Sequence, residues 1–254
     1  MAVPALLVVA AATAAGGWTF TVALAAVSAM ATAEAMRLFG AAGALAAASV
    51  AGAALLVVIA FAEGREALPP ALLGAGLIVL VAAIARAPDG RRAGLGAAGV
   101  LCLLWVGGGL AHGVLLRESP HGVALVVAVL VGTFVGDTAA HVGGTLVGTR
   151  PLAPRISPNK TREGFALGIA FGTAATAVFL AGFHSWIGVG EAVVIGLAVA
   201  VAAPLGDLWE SALKRDAGVK DSGSVLGPHG GILDRVDAVL FTAPAGFYVA
   251  LALL

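Results

Sequence analysis

Residues 206–237 read GDLWESALKRDAGVKDSGSVLGPHGGILDRVD, the most polar stretch of a chain otherwise dominated by Ala, Val, Leu and Gly. One strongly apolar run ends near Pro204, ahead of this stretch, and another starts near Ala238, behind it. If the preceding helix continues over 206–215, Asp207, Glu210, Ser211 and Lys214 fall at i, i+3, i+4 and i+7, on one face. Asp234 and Asp237 are also three apart, at the mouth of the last apolar run. A solvated loop would account for the charge. It would not account for GPHGG, for acids paired at a spacing of three, or for Lys214-Arg215 one turn beyond Ser211. Carboxylates at two helix mouths joined by a short loop can converge on one divalent cation. Mg²⁺ binds oxygen, commonly through one or two carboxylates together with waters and phosphates. Neighbouring Lys and Arg then neutralise the remaining phosphate charge.

Working outward, the 254 residues are 60% hydrophobic and 11% charged, with a mean hydropathy of +1.04. That excludes an ordinary soluble domain. Apolar runs of roughly 20 residues recur, each able to cross a hydrocarbon core of about 30 Å. They do not alternate polar with apolar as barrel strands do, so helices are the expected spanning element. Residues 3–34 would make one helix of about 46 Å, too long for an upright crossing. Gly16-Gly17 divides them into expected helices over 3–15 and 18–34, with Glu34 and Arg37 at the mouth that follows. Further spans are expected at 41–62, 68–86, 93–116, 122–146, 164–184, 188–206 and 238–254. The expected fold is an all-α integral membrane protein, a polytopic bundle of about eight or nine transmembrane helices. It forms a single catalytic domain over 1–254: 1–136 are mainly hydrophobic spans, 137–237 carry the polar segments, and 238–254 are the last span.

With 206–237 placed in the cytoplasm, twelve of the fourteen Lys and Arg fall on the cytoplasmic side, and only Arg65 and Arg117 fall outside. This bias is the one that sets membrane topology. The polar site then faces the cytoplasm, with the chain multi-pass in the plasma (inner) membrane and the C-terminus outside. The N-terminus is expected to be cytoplasmic if 3–34 cross twice, and to carry no signal peptide, since no basic region precedes the apolar run. Cys102 is the one cysteine, so no intrachain disulfide forms.

A second polar segment lies on the same side, DTAAHVGGTLVGTRPLAPRISPNKTREG over 137–164. Asp137 and His141 are four apart at the exit of a span, and an acid inside a membrane helix is a functional candidate by default. The competing reading is an acid that only locks helices together. Beyond it, Pro151, Pro154 and Pro158 exclude a helix.

The run Ser211-x-Leu213-Lys214-Arg215, then Lys220-Asp221-x-Gly223, Leu226 and His229-Gly230-Gly231-x-x-Asp234-Arg235-x-Asp237 resembles the signature of phosphatidate cytidylyltransferases, the CDP-diacylglycerol synthases. Asp137, Ala140, Ser157, Pro158, Lys160, Thr161, Glu163 and Gly164 are similar to that family's other recurrent segment. Gly227-Pro228 stands where the family pattern has Pro-Gly, and His141 where it has Tyr. The resemblance covers 137–237. It implies transfer of CMP from CTP to phosphatidate, giving CDP-diacylglycerol and pyrophosphate in phospholipid synthesis. It implies Mg²⁺ as cofactor, with a second metal or a monovalent cation left open, and a homodimer by analogy. It places metal-binding acids at Asp207 and Asp234, with Asp237 and Asp221 next. Ser211 is expected to face the same site. Lys160, Lys214, Arg215, Lys220 and Arg235 are expected on phosphates, with Asp137, Ser157, Asn159 and Thr161 lining the substrate site. Gly230 and Gly231 would bring backbone amides near a phosphate, and His229 would donate to pyrophosphate or organise the loop.

Other readings are weaker. GLGAAG at 94–99 fits a dinucleotide fingerprint, but no strand precedes it, and close helix packing is the better reading. His112, His121 and His184 stand singly, as packing or membrane-surface residues do. The same chemistry on an isoprenoid ether lipid phosphate stays open. An anion transporter would need charge at the bilayer midplane, whereas here it gathers at one face. The paired-Asp motif of CDP-alcohol phosphotransferases is absent, and no feature points to nucleic acid.

Overall fold

The computed structural model describes residues 2–254 apart from Leu226, Pro228 and His229, with side chains from Val9 onward. His229 and the Gly227-Pro228 turn therefore fall wholly or partly outside the described residues. The chain is an all-α polytopic membrane protein. Among the described residues, eight helical stretches are long and apolar enough to cross a membrane. The chain divides into two compact units. One comprises Met1–Pro120 and Val219–Val236, the other His121–Gly218 and Asp237–Leu254.

In the first unit, α1 (Ala2–Ala15) and α2 (Gly17–Leu38) break at Gly16 and Gly17, whose φ values of 63° and 50° suit glycine. Helix α1 spans about 21 Å, short of the hydrocarbon thickness, so of the two N-terminal helices α2 is the one with spanning length. Arg117 holds the break by donating from Nε to the Thr13 carbonyl at 2.6 Å. Helices α3 (Gly43–Glu63) and α4 (Leu68–Arg86) follow within two residues of expectation. The span expected at 93–116 is three pieces: α5 (Arg92–Cys102), one π-helical turn (Leu103–Gly107) and α6 (Gly108–Glu118). The π turn lies where Gly107 meets α3 so closely that an added Cβ would sit 2.8 Å from the Ala53 Cα. GLGAAG lies inside α5, and a Cβ at Gly96 would come within 3.2 Å of both Ala83 and Leu80 of α4. Buried Met36, Leu45, Leu56, Leu103, Leu110 and Leu116 form this unit's core, while Leu73, Leu77, Ile78, Val81 and Ile84 present an apolar α4 face suited to lipid.

In the second unit, α7 (Gly122–Val147), α8 (Arg162–Phe183) and α9 (Val189–Asp216) pack with α11 (Val239–Leu253). Helices α7 and α8 cross on glycine: a Cβ at Gly136 would lie 3.2 Å from the Gly168 carbonyl, and one at Gly172 would lie 2.9 Å from the Gly132 carbonyl. Such small-residue seams let membrane helices approach backbone to backbone. His121 stacks on Trp186 at 4.0 Å and His184 lies 5.6 Å from the same ring, so both pack on an aromatic side chain, one of the two roles expected of them.

Helix α9 runs past the span end expected at 206 to Asp216, so 206–215 does continue the helix, and Pro204 is accommodated within it. The proline-rich segment, where a helix is excluded, contains an antiparallel ribbon, β1 (Pro151–Ala153) with β2 (Ser157–Thr161), paired Pro151 to Thr161 and Ala153 to Ser157. A two-stranded ribbon consists only of edges, where proline is tolerated.

Candidate active site

The acids singled out by sequence fall into two centres, one in each unit. In the second unit, α7, β2 and α9 surround a cavity of about 640 Å³. Its floor and walls are small or apolar, including Gly132, Gly136, Gly168, Ala200 and Ala203. Its polar lining includes Asp137, His141, Ser157, Asn159, Lys160, Thr161 and Asp207. Asp207 is held on both oxygens: Lys160 Nζ lies 2.5 Å from Oδ2, and Ser211, one turn on, donates to Oδ1 at 3.2 Å. Asp137 and Asp237 both lie within charge–charge range of Asp207. Gly206 makes this neighbourhood possible, since a Cβ there would collide with the Asp237 carbonyl. Asp137 and Asp207 thus line one cavity with the Lys160 ammonium, and Asp237 lies near Asp207. Among the described residues, no three His, Cys, Asp or Glu side chains form a ready-made metal cluster.

The ribbon that carries Lys160 is braced locally. Thr161 caps α8 by accepting from the Gly164 amide at 3.1 Å. Glu163 accepts from the Thr149 amide, the Thr149 hydroxyl and the Arg150 amide. Arg215 donates to the Ile156 carbonyl at 3.3 Å, so this expected phosphate contact touches the ribbon turn.

The second centre lies in the first unit. Asp234, in the short helix α10 (Leu233–Val236), accepts from the Ser222 amide at 3.0 Å, the Ser222 hydroxyl at 2.9 Å and the Gly231 amide at 2.7 Å. Glu34 of α2, wholly buried, accepts from the Leu233 amide at 2.8 Å and lies 3.3 Å from the Ser222 hydroxyl. Gly223 and Gly231 press on it: a Cβ at Gly223 would sit 2.5 Å from Glu34 Oε1, and one at Gly231 would collide with Oε2. The amides expected to meet a phosphate are thus engaged internally, Gly231 with Asp234 and Gly230 with the Gly227 carbonyl at 3.3 Å. Lys220, Asp221 and Arg235 are exposed on this loop.

A profile described as "Cytidylyltransferase family" matches residues 1–253. The chain belongs to the Cytidylyltransferase family. It is 40% identical over 147 residues to a phosphatidate cytidylyltransferase of Mycobacterium leprae, covering 57% of this chain and 46% of that protein. It is 41% identical over 129 residues to one of Bacillus subtilis, covering 51% of this chain and 48% of that protein. It is 40% identical over 128 residues to an uncharacterised protein of Escherichia coli, covering 50% of this chain and 42% of that protein. The chain spans about half the length of the curated relatives it matches.

In this cytidylyltransferase-family chain, Lys214, expected on a phosphate, pairs with Glu210 at 2.5 Å in a setting that leaves Glu210 1% exposed. Reasoning from sequence missed the roles of Glu34 and Glu163. An acid next to the apolar run of α2 was the available signal for Glu34. For Glu163, its position two residues after the capping Thr161 was the signal, because acids favour the first turn of a helix.

Proposed function

We propose that this chain transfers CMP from CTP to the phosphate of phosphatidate, giving CDP-diacylglycerol and pyrophosphate, at the cytoplasmic face of the plasma membrane. The observation that carries this reading is the amphipathic cavity of the second unit. Its glycine and alanine walls suit a lipid, Lys160 supplies positive charge for phosphates, and Asp137 and Asp207 supply oxygen donors for a cation. The names of the relatives support the same reaction.

In the reaction, a phosphate oxygen of the lipid attacks the α-phosphorus of CTP. The bond from that phosphorus to its bridging oxygen breaks, and pyrophosphate leaves with the electron pair. Two anions must meet, so alignment and charge neutralisation carry most of the rate. Lys160 sits where it can exchange its carboxylate partner for an incoming phosphate. Ser211 holds the orientation of Asp207 while that exchange takes place. Asp207, with Asp137 and Asp237 within charge–charge range of it, offers the oxygen donors that would hold Mg²⁺. Bound there, Mg²⁺ would neutralise charge on the phosphates. No covalent enzyme intermediate is needed.

The test is a detergent-purified sample with phosphatidate, CTP and Mg²⁺, following lipid-linked CMP and pyrophosphate together, with ATP, GTP and metal-free controls. Equal formation of both products, selective for CTP and dependent on metal, is the expected result. Turnover only with an isoprenoid glycerol phosphate would replace the lipid and keep the chemistry. No turnover with either lipid, in a folded sample, would overturn the reading.

A further inference from the structure

Glu34 is the most completely buried acid in the first unit, and the sequence places it 188 residues from Ser222 and 199 from Leu233, the two groups it touches. Burying a carboxylate is costly unless its oxygens are met by donors. Here Oε2 is met and Oε1 is buried without a hydrogen-bond partner among the described residues. A side chain kept in that position against such a cost fixes something that apolar packing would not. What it fixes is the loop from Ser222 to Leu233. The Leu233 amide donates to Glu34, and the Ser222 hydroxyl lies between the two carboxylates, 2.9 Å from Asp234 and 3.3 Å from Glu34. Gly223 and Gly231 leave no room for a side chain beside it.

We propose that Glu34 is a positioning residue for the transferase reaction, holding α2 to the 222–233 loop through the Leu233 amide and the Ser222 hydroxyl so that Asp234 and the loop's exposed charges keep one geometry. This rests on the reading given under Proposed function. A carboxylate is suited to the task. Its oxygen accepts from an amide and a hydroxyl at once, and charge-assisted hydrogen bonds are shorter and stronger than neutral ones. A Gln keeps one such oxygen at the same reach, whereas a Leu of similar volume keeps none.

The experiment compares wild type with Glu34→Gln, Glu34→Leu and Ser222→Ala. It has two readouts: hydrogen exchange of peptides over 221–234 in metal-free, nucleotide-free detergent, and steady-state pyrophosphate release. Glu34→Gln should stay within about threefold of wild type in both. Glu34→Leu should speed exchange of the 221–234 peptides about tenfold or more while α7 and α8 peptides keep wild-type rates. It should lower kcat about 30-fold, with KM for CTP and for lipid within about threefold. Wild-type exchange and kcat in Glu34→Leu would overturn the inference. So would exchange raised equally throughout the chain, which marks a purely structural acid. If Glu34→Leu does not fold, Ser222→Ala decides: faster loop exchange with a roughly threefold to tenfold lower kcat supports the inference, and no change in either overturns it. Absence of turnover in wild type counts against the transferase reading alone, since loop exchange still reports on Glu34.

Discussion

Asp207 and Asp234 look alike in the sequence, one acid on each side of the same polar stretch, yet they are held by different kinds of partner. Asp207 is met by a lysine ammonium and a serine hydroxyl, side-chain groups that can turn away when a ligand arrives. Asp234 is met by two backbone amides and a hydroxyl, groups fixed by the course of the chain. One acid borders a cavity and can change partners, while the other ties a loop together. Similar spacing in a motif therefore does not assign similar work. The nature of the donors separates a carboxylate whose partners are mobile side chains from one whose partners are fixed by the course of the chain.

Substitutions can break or sharpen this comparison. The largest effect is expected from Asp207→Asn, which should cut kcat about a thousandfold and leave exchange in 221–234 unchanged, as measured by pyrophosphate release and mass spectrometry. Asp234→Asn should cut kcat about a hundredfold and also loosen that loop, because an amide group facing amide donors leaves one of them unmet. Equal loop exchange in the two variants would erase the distinction drawn between them. Gly231→Ala should come next, with a loss of about 30-fold, because the added methyl collides with Glu34 and Ser222. Lys160→Ala should raise KM for the lipid or nucleotide phosphate about tenfold with a smaller change in kcat. The smallest kinetic effect is expected from Lys214→Ala, within about threefold in kcat and KM. It should nonetheless lower thermal stability clearly, since it strips the ammonium from a buried glutamate, a loss of about 3 kcal/mol or more. A normal melting temperature with raised KM would instead return Lys214 to the phosphates.

Most of the fold was legible because hydropathy reports spanning length directly: the span read at 68–86 is α4 residue for residue. The i, i+3, i+4, i+7 placement of Asp207, Glu210, Ser211 and Lys214 was legible for the same local reason, and Ser211 does reach back to Asp207. The Pro151–Thr161 ribbon was not, because two short strands carry little periodicity and their pairing is fixed only by contact. Lys160 was read as a cation for phosphate, but its pairing with Asp207 lies 47 residues away and leaves no local trace. Glu34 was hidden further still, since its partners lie almost the whole chain away. What sequence could not show was which of several equivalent acids and bases would meet.

The overhang of α9 has a consequence for kinetics. Asp207 lies 18 residues into a helix of 28, about 27 Å from its start, close to where a hydrocarbon layer of about 30 Å ends. In the proposed reaction, a cavity at that height would be level with the glycerol region of a surrounding leaflet. A lipid acceptor would then reach it by sliding sideways in two dimensions, and the lipid product would leave the same way without entering water. The water-soluble nucleotide and pyrophosphate move along the perpendicular direction. Rate should therefore follow the mole fraction of acceptor in the surface rather than its bulk concentration, and diluting the acceptor with inert detergent at constant total amount should slow the enzyme as removing it does.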